Sequence, residues 1–178
     1  MSTGTIALTT KRLILRRHIS EDAVALYENF GKDSRMFEFS GWNPYATEDM
    51  AKETVERFID SYQDKRFYGW AIEYEGRLIG TIGAYDFDPE TDSIEIGCSI
   101  ERKNWGNGFA GEALTAVLDY LTGQEGIKRV IAWCASDNTG SRKIMEKAGM
   151  RHVATEPDAL IIEGNRFAKM HYEYEMKG

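Results

Sequence analysis

The sequence contains few of the features that mark secreted or membrane proteins. Its 178 residues include only two cysteines, Cys98 and Cys134, and no apolar run approaches the ~20 residues that a membrane-spanning helix needs. The first ten residues contain no apolar segment of the kind that a signal peptide requires. Both cysteines lie in apolar, strand-like runs. We therefore expect two reduced thiols in the core of a cytoplasmic protein, with a disulfide between them as the alternative.

Basic charge and histidine are also scarce. The chain has 22 basic against 29 acidic residues, a net charge of −7. This balance argues against binding to nucleic acid, whose phosphates attract basic surfaces, and fits a cationic or amine-bearing partner. The three histidines, His18, His152 and His171, are scattered, and no cluster of His, Cys and Asp has metal-ligand spacing. We expect no metal, no nucleic acid and no membrane as partners, and a structural role for each histidine.

The chain does contain the pattern of one mixed domain over residues 1–178. Apolar periodicity predicts the order β-α-α-β-β-β-α-β-α-β-β, after a frayed or loosely paired arm at residues 1–9. Hairpin signals at Glu75-Gly76 and at residues 163–165 make most neighbouring strands antiparallel. The strand–helix–strand step from residues 92–100 to residues 127–135 predicts one parallel crossover. The predicted fold class is α+β (mixed α/β), with a central, mostly antiparallel sheet of about seven strands and four helices.

Residues 92–121 form the stretch around which the chain is organised. Ile94, Ile96, Cys98 and Ile100 alternate with polar or small residues, as in a strand, and a helical pattern follows from Ala110. Between them, glycines 106 and 108 remove two Cβ atoms where the helix begins. Free N–H groups and the helix dipole attract anions at such a point. We call residues 102–111 the phosphate cradle.

The glycine pattern of the cradle also occurs in nucleotide-binding turns and in plain helix entries. A nucleotide P-loop is excluded because no Gly-Lys-Ser/Thr follows, and Gly111 is displaced by one residue from the third glycine of a dinucleotide fingerprint. Taken alone, Gly-x-Gly would also be explained by a helix start at which the glycines only relieve steric crowding and no ligand binds. A second motif, the helix that follows Asn138, favours a functional role for the cradle.

Taken together, the two motifs resemble the GNAT superfamily of acyl-CoA-dependent N-acyltransferases. Residues 103–108, Lys-Asn-Trp-Gly-Asn-Gly, are similar to the family's Arg/Gln-x-x-Gly-x-Gly/Ala pyrophosphate loop, although lysine keeps the charge without the guanidinium fork. Residues 138–150 are similar to the Asn-x-x-Ser helix that ends in Lys-x-Gly-Phe/Met. The opening Lys-Arg-Leu-Ile-Leu-Arg at residues 11–16 and the Trp-Gly-x-Gly-Phe-Ala pattern resemble the ribosomal-protein N-terminal (RimJ/RimL-like) branch.

The resemblance implies direct transfer of an acetyl group from acetyl-CoA to a primary amine. The central strand would splay from the strand at residues 127–135 and hold the acyl-pantetheine like an added strand. The N–H of Cys98 would then stabilise the oxyanion. The implied cofactor-binding residues are Cys98, Ile100, Arg102, Lys103, Gly106, Asn107, Gly108, Phe109, Ala110, Gly111, Asn138 and Ser141.

Two residues are predicted to be catalytic. Many family members have a tyrosine acid seven residues after the asparagine, where this chain has Met145, so the resemblance points to Ser141 as the acid. The alternative for Ser141 is a solvent-facing helix residue. Glu95, on the strand just before the cradle, is the predicted base, acting through a water. Its alternative is an ordinary solvated or paired strand side chain.

The amine acceptor stays open between a protein N-terminus, a polyamine-like or aminoglycoside amine, and another small metabolite. Five aromatics could form the wall of its pocket or belong to the core: Trp42, Tyr45, Trp70, Tyr85 and Phe87. A non-catalytic, regulatory CoA-binding module is the alternative function, because Met145 cannot donate a proton. The fold is also compatible with a homodimer, since its strands often pair between subunits.

Overall fold

A computed structural model describes residues 2–33, 45–162 and 164–178. The strands are β1 (Leu8–Thr9), β2 (Leu13–Arg16), β3 (Tyr68–Tyr74), β4 (Arg77–Asp88), β5 (Ser93–Ile100), β6 (Arg129–Ala135), β7 (Arg151–Ile162) and β8 (Asn165–Glu175). The α-helices are α1 (Asp22–Leu26), α2 (Glu48–Ser61), α3 (Phe109–Asp119) and α4 (Thr139–Lys147). Single π-helical turns, Tyr27–Gly31 and Tyr120–Gln124, extend α1 and α3. The predicted aromatic loop that contains Trp42 lies almost entirely outside the described residues.

The eight strands form one sheet in the order β1-β2-β3-β4-β5-β6-β8-β7. Among the strands of the described residues, only the β5–β6 pair is parallel, and α3 makes the crossover between these two strands. The predicted fold class, with four helices and a mostly antiparallel sheet, is confirmed. The sheet has eight strands instead of about seven because residues 8 and 9 pair with β2.

The parallel ladder between β5 and β6 is short, and its end positions the site. Ser93, Ile94 and Glu95 pair with Arg129, Val130 and Ile131, and the pairing then stops. Residues 96–100 of β5 and 132–135 of β6 continue as strands without pairing with each other. We call this divergence the fork. It is the splay that the resemblance implied.

Helices cover the two faces of the sheet unequally. On the first face, α3 and α4 pack over a large core that includes Trp70, Ile94 and Met145. On the second face, α1 and α2 pack over β3 and β4. An added Cβ on Gly69 would lie only 2.5 Å from the ring of Phe58 in α2, so glycine is needed for this close approach. Among the described residues, the second face of β5, β6 and β8 stays accessible.

Of the two predicted forms of the N-terminal arm, frayed or loosely paired, the structure shows the paired one, with residues 8 and 9 paired to β2. The N–H groups of Thr3 and Gly4 donate to the carboxylate of Glu125 at 2.9 and 3.1 Å. The hydroxyl of Tyr120 donates to the carbonyl of Gly4 at 2.5 Å, and the indole of Trp70 donates to the backbone at 2.6 Å. These long-range bonds attach the arm to β3 and to the segment that follows α3.

Candidate active site

The edge of β5 at the fork offers unpaired backbone groups. The N–H of Glu101 donates to the carbonyl of Ile79 in β4 at 2.7 Å. The β4–β5 register is regular from Glu95 to Ile100, and successive N–H groups of a strand point to opposite edges. The N–H groups of Ile100 and Cys98 therefore point away from β4, into the fork. These are the backbone groups predicted to bind the acyl-pantetheine.

The fork also changes the environment of one cysteine. Both thiols are free, but only Cys134 is buried, and the side chain of Cys98 is exposed. The prediction of two core thiols was therefore wrong for Cys98, because β5 has separated from β6 beside it. Burial raises the pKa of the Cys134 thiol to about 11, as expected for an unreactive core residue.

The cradle has the geometry of an anion site. After a short 3-10 turn at Arg102–Asn104, Gly106 and Gly108 adopt φ values of +80° and +79°, in the left-handed region that favours glycine. Gly108 is the N-cap of α3, and no described side chain caps this helix start. The first N–H groups of α3, from Phe109 onward, are therefore available to an acceptor such as a phosphate oxygen.

A buried carboxylate, missed in the sequence, holds the cradle in place. Glu101 is only 1% exposed. It accepts hydrogen bonds from Arg77 Nε at 3.0 Å, from Arg77 Nη2 at 2.7 Å and from Asn104 Nδ2. These bonds connect the 3-10 turn to β4. No sequence signal identified Glu101, because a single acid after a strand is usually solvated.

The other predicted cradle residues are mostly exposed and surround the same turn. Arg102 donates from Nε to Asp33 at 2.8 Å, and Lys103 and Asn107 are exposed. The indole of Trp105 donates to the carbonyl of Ile100 at 2.7 Å and so joins the cradle to the fork edge of β5. Phe109 is buried, Ala110 and Gly111 are half-buried, and the Arg12 guanidinium stacks 4.3 Å from the Phe109 ring centroid.

The Asn-x-x-Ser motif begins α4. Asn138 is the N-cap, and its Oδ1 accepts from the N–H of Ser141 at 3.1 Å. Ser141 is half-buried in the first turn, whereas Met145 is buried in the core at 7% exposure. Capping alone therefore explains the spacing between the asparagine and the serine. The methionine at the usual tyrosine position is a core residue.

Glu95 lies on the second face of the sheet, opposite Ile94 and Ile96, as alternation predicted. Its cross-strand partner on β4 is Tyr85. The Tyr85 hydroxyl lies 3.3 Å from the position of a Cβ on Gly97, so the phenol sits over β5 at the start of the fork. Burial, and then the adjacent Glu95 carboxylate, raise the pKa of Tyr85, which keeps the phenol neutral.

A cavity of about 380 Å³ opens beside Glu95 on this second face. Its lining includes Glu95, Ile131 and Trp133, together with Glu156, Lys169, His171 and Glu173 from β7 and β8. The Lys169 ammonium lies 4.7 Å from the Trp133 ring centroid, and His171 Nε2 contacts the carboxylate of Glu156. Sequence reasoning missed the β7 and β8 residues and expected only a structural role for His171.

The predicted aromatic wall is not assembled at this cavity. Trp70 is fully buried in the core, and Tyr45 packs with α1 and α2. Phe87 packs against the core beneath Arg66, whereas Trp42 lies outside the described residues. Of the five candidates, Tyr85 alone is seen beside Glu95 in the described part of the chain.

Comparison with known proteins identifies the family. Residues 12–151 match the family model described as an acetyltransferase (GNAT) domain. The chain belongs to the GNAT acetyltransferase family. Among curated relatives of this family, the uncharacterized N-acetyltransferase YoaA of Bacillus subtilis (strain 168) is 33% identical over 81% of this chain and 82% of its own.

Solved GNAT structures show the same fold. An acetyltransferase of this family from Bacillus anthracis has a TM-score of 0.85 at 24% identity, covering 97% of this chain and 100% of its own. RimL, a ribosomal L7/L12 alpha-N-protein acetyltransferase in complex with coenzyme A, has a TM-score of 0.88 at 17% identity, covering 96% of this chain and 98% of its own.

As a GNAT protein, the chain is an N-acetyltransferase that uses acetyl-CoA, and both predictions are confirmed. The residues fit this co-substrate, because the fork offers free N–H groups and the cradle an uncapped helix start. The described residues contain no helix long and apolar enough to cross a membrane. They also contain no group of three or more His, Cys, Asp and Glu that could hold a metal ion.

Proposed function

We propose that residues 1–178 form one acyl-CoA N-acyltransferase domain that transfers an acetyl group directly to a primary amine. The acceptor would be a protein N-terminus or a small-molecule amine. The observation that supports this function is the fork, which places free N–H groups of β5 between the cradle and Glu95. The donor can thus enter from the cradle while the amine enters from the cavity on the second face.

The donor would be held mainly by backbone groups. The N–H groups of Ile100 and Cys98 would bind the pantetheine arm as an added strand binds a sheet edge. The cradle would bind the pyrophosphate through Arg102, Lys103 and the backbone of Gly106, Asn107, Gly108, Phe109, Ala110 and Gly111. Asn138 would orient a pantetheine amide. Arg102 would then share its guanidinium between a phosphate and Asp33.

The chemistry assigns one task to each remaining group. Acetyl-CoA supplies an activated thioester, and a C–N bond forms as the C–S bond breaks. An alkylammonium group in water has a pKa of ~10.4, so its proton must leave, and Glu95 would accept it through a water. The N–H of Cys98 would stabilise the developing oxyanion. The Ser141 hydroxyl would donate a hydrogen bond to the departing sulfur, since buried Met145 cannot.

Branch, location and assembly are further parts of this proposal. The Lys-Arg-Leu-Ile-Leu-Arg segment and the structural likeness to RimL support the RimJ/RimL-like branch. Free thiols support a cytoplasmic location. A homodimer is supported by β7, which within the described part of the chain pairs with β8 alone and along which Val153 and Ile161 are 40% and 64% exposed.

The test is release of free CoA from acetyl-CoA against a panel of primary amines. We expect turnover with at least one amine, and lower kcat in Ser141→Ala and Glu95→Gln with the dissociation constant for acetyl-CoA nearly unchanged. Exposed Thr139, in the first turn of α4, supplies the control Thr139→Ala. Tight acetyl-CoA binding without turnover on any amine would favour the regulatory module instead. Wild-type rates in both variants would remove the two assigned roles.

A further inference from the structure

We infer that the acceptor is a small alkylamine with a second positively charged group, such as an unbranched diamine. This inference rests on the proposed function, because it takes the cavity beside Glu95 as the acceptor pocket. It is drawn from the charges, the apolar surface and the resident lysine of that cavity. Nothing in the cradle or the fork specifies the acceptor.

The charges that line the cavity are mostly negative. Three carboxylates, those of Glu95, Glu156 and Glu173, face one ammonium, that of Lys169. Glu156 is already paired with His171, which leaves Glu95 and Glu173. An anionic acceptor would meet repulsion here, whereas a cationic one would be attracted.

Glu95 and Glu173 are arranged to contact the two ends of one molecule. Both pair in register with Ile131, which lies between them on β6, so all three side chains are on the same face. Two strand spacings separate the carboxylate residues, about 10 Å between Cα atoms. Glu95 would serve the reacting amine. Glu173 forms a long, partly exposed ion pair with Arg129, whose Nε lies 3.9 Å from Oε1, and such a weak pair leaves the carboxylate able to bind a second cation as well.

The surface between these carboxylates suits an alkyl chain. Ile131 and Trp133 contribute apolar area to the lining. The protein's own alkylammonium shows the fit, because the Lys169 ammonium lies 4.7 Å from the Trp133 ring centroid inside this cavity. A linear alkylamine would present the same chemistry to the same wall. The cavity volume of about 380 Å³ is in the range of small-molecule sites.

The test compares three acceptors with the same reacting amine and a different far end: 1,5-diaminopentane, pentylamine and 5-aminopentanoate. We expect kcat/KM to fall in that order. The diamine has two identical amines, which alone should double its kcat/KM relative to pentylamine. Beyond this factor of two, we expect its kcat/KM to be about fivefold higher, as for one partly exposed charge pair. The advantage should shrink as ionic strength rises.

Two variants test whether the carboxylate of Glu173 causes the higher kcat/KM of the diamine. Glu173→Gln should bring the diamine down to its statistical twofold advantage while leaving pentylamine within twofold of the wild-type rate. The matched control is Glu175→Gln, on the same strand but outside this cavity, which should keep the wild-type ratio. Thermal unfolding of both variants confirms that they are folded.

The outcomes separate this inference from the function on which it rests. Equal kcat/KM for the three acceptors, a preference for 5-aminopentanoate, or an unchanged ratio in Glu173→Gln would overturn the diamine inference and leave the acetyltransferase proposal standing. No turnover of any primary amine at saturating acetyl-CoA would overturn both.

Discussion

Replacing Glu101 by glutamine tests whether a buried carboxylate holds the cradle in its binding geometry. The change keeps the shape of the side chain and removes its charge. Glutamine has one acceptor oxygen and an NH₂ group, which would face the N–H donors of Arg77. We therefore expect the 3-10 turn before the cradle to lose part of its attachment to β4.

The expected loss of stability follows from the three hydrogen bonds that Glu101 accepts, two from Arg77 and one from Asn104. A hydrogen bond to a charged group contributes ~1.5–3 kcal/mol. The Arg77 side chain is 43% exposed and can turn to water, so its two bonds count for less. Glutamine also keeps one acceptor. We expect the free energy of unfolding to fall by about 2 kcal/mol.

Two measurements check this prediction. Urea denaturation gives the free energy of unfolding, and the fluorescence of Trp105, which is 52% exposed in the cradle, reports acetyl-CoA binding. We expect the dissociation constant to rise about fivefold, because only molecules with an ordered cradle bind. Glu90→Gln removes an exposed carboxylate and controls for net charge. Equal effects of Glu101→Gln and Glu90→Gln on both quantities would refute the reasoning.

Three further predictions follow from individual residues. Gly106→Ala, at φ +80° with no atom within 4 Å of the new Cβ, should cost about 1 kcal/mol of unfolding free energy by urea denaturation, from backbone strain alone. Burial would raise the pKa of the Asp22 carboxyl, but the hydrogen bonds and charge of Arg16, together with His18 and the N–H of Ile19, outweigh it and lower the pKa well below its usual range. The unfolding free energy should therefore fall as pH drops below about 4, a decline that Asp22→Asn should reduce. Tyr85→Phe removes the hydroxyl beside Glu95 and should lower kcat about fivefold without changing acetyl-CoA affinity, as stopped-flow and equilibrium binding would show.

The features that could be predicted from the sequence depend on neighbours along the chain. The glycines of the cradle and the Asn138 cap lie within a few residues of what they act on, and the structure shows the left-handed turn and the cap hydrogen bond. The parallel crossover through α3 was predictable from its length and order. Such local patterns are also what carried the family resemblance.

The features that were missed depend on partners distant in sequence. Glu125 bonds to Thr3 across 122 positions and fixes an arm that composition alone would leave frayed. Glu101 bonds to Arg77 across 24 positions. A single acidic residue gives no local sign that it will be buried, because most glutamates are solvated. The burial of these two carboxylates depends on the folded structure and could not be predicted from the sequence.

The acceptor cavity shows why an alternating pattern is insufficient for a strand with an irregular register. Arg151 pairs with Glu173 and Ala154 pairs with His171, so β7 contains one extra residue between these pairs. Such a bulge reverses which residues face the second side of the sheet. Strict alternation from Arg151 would place Glu156 on the opposite face. The bulge instead brings Glu156 into register with Lys169 and to the wall of the cavity. Deleting Val153 should therefore remove the bulge while Glu156 stays in register with Lys169 and on the cavity side of the sheet. We expect the contact between Glu156 and His171 to persist, with the His171 ring resonances unchanged by NMR, and a loss of this contact would contradict the register.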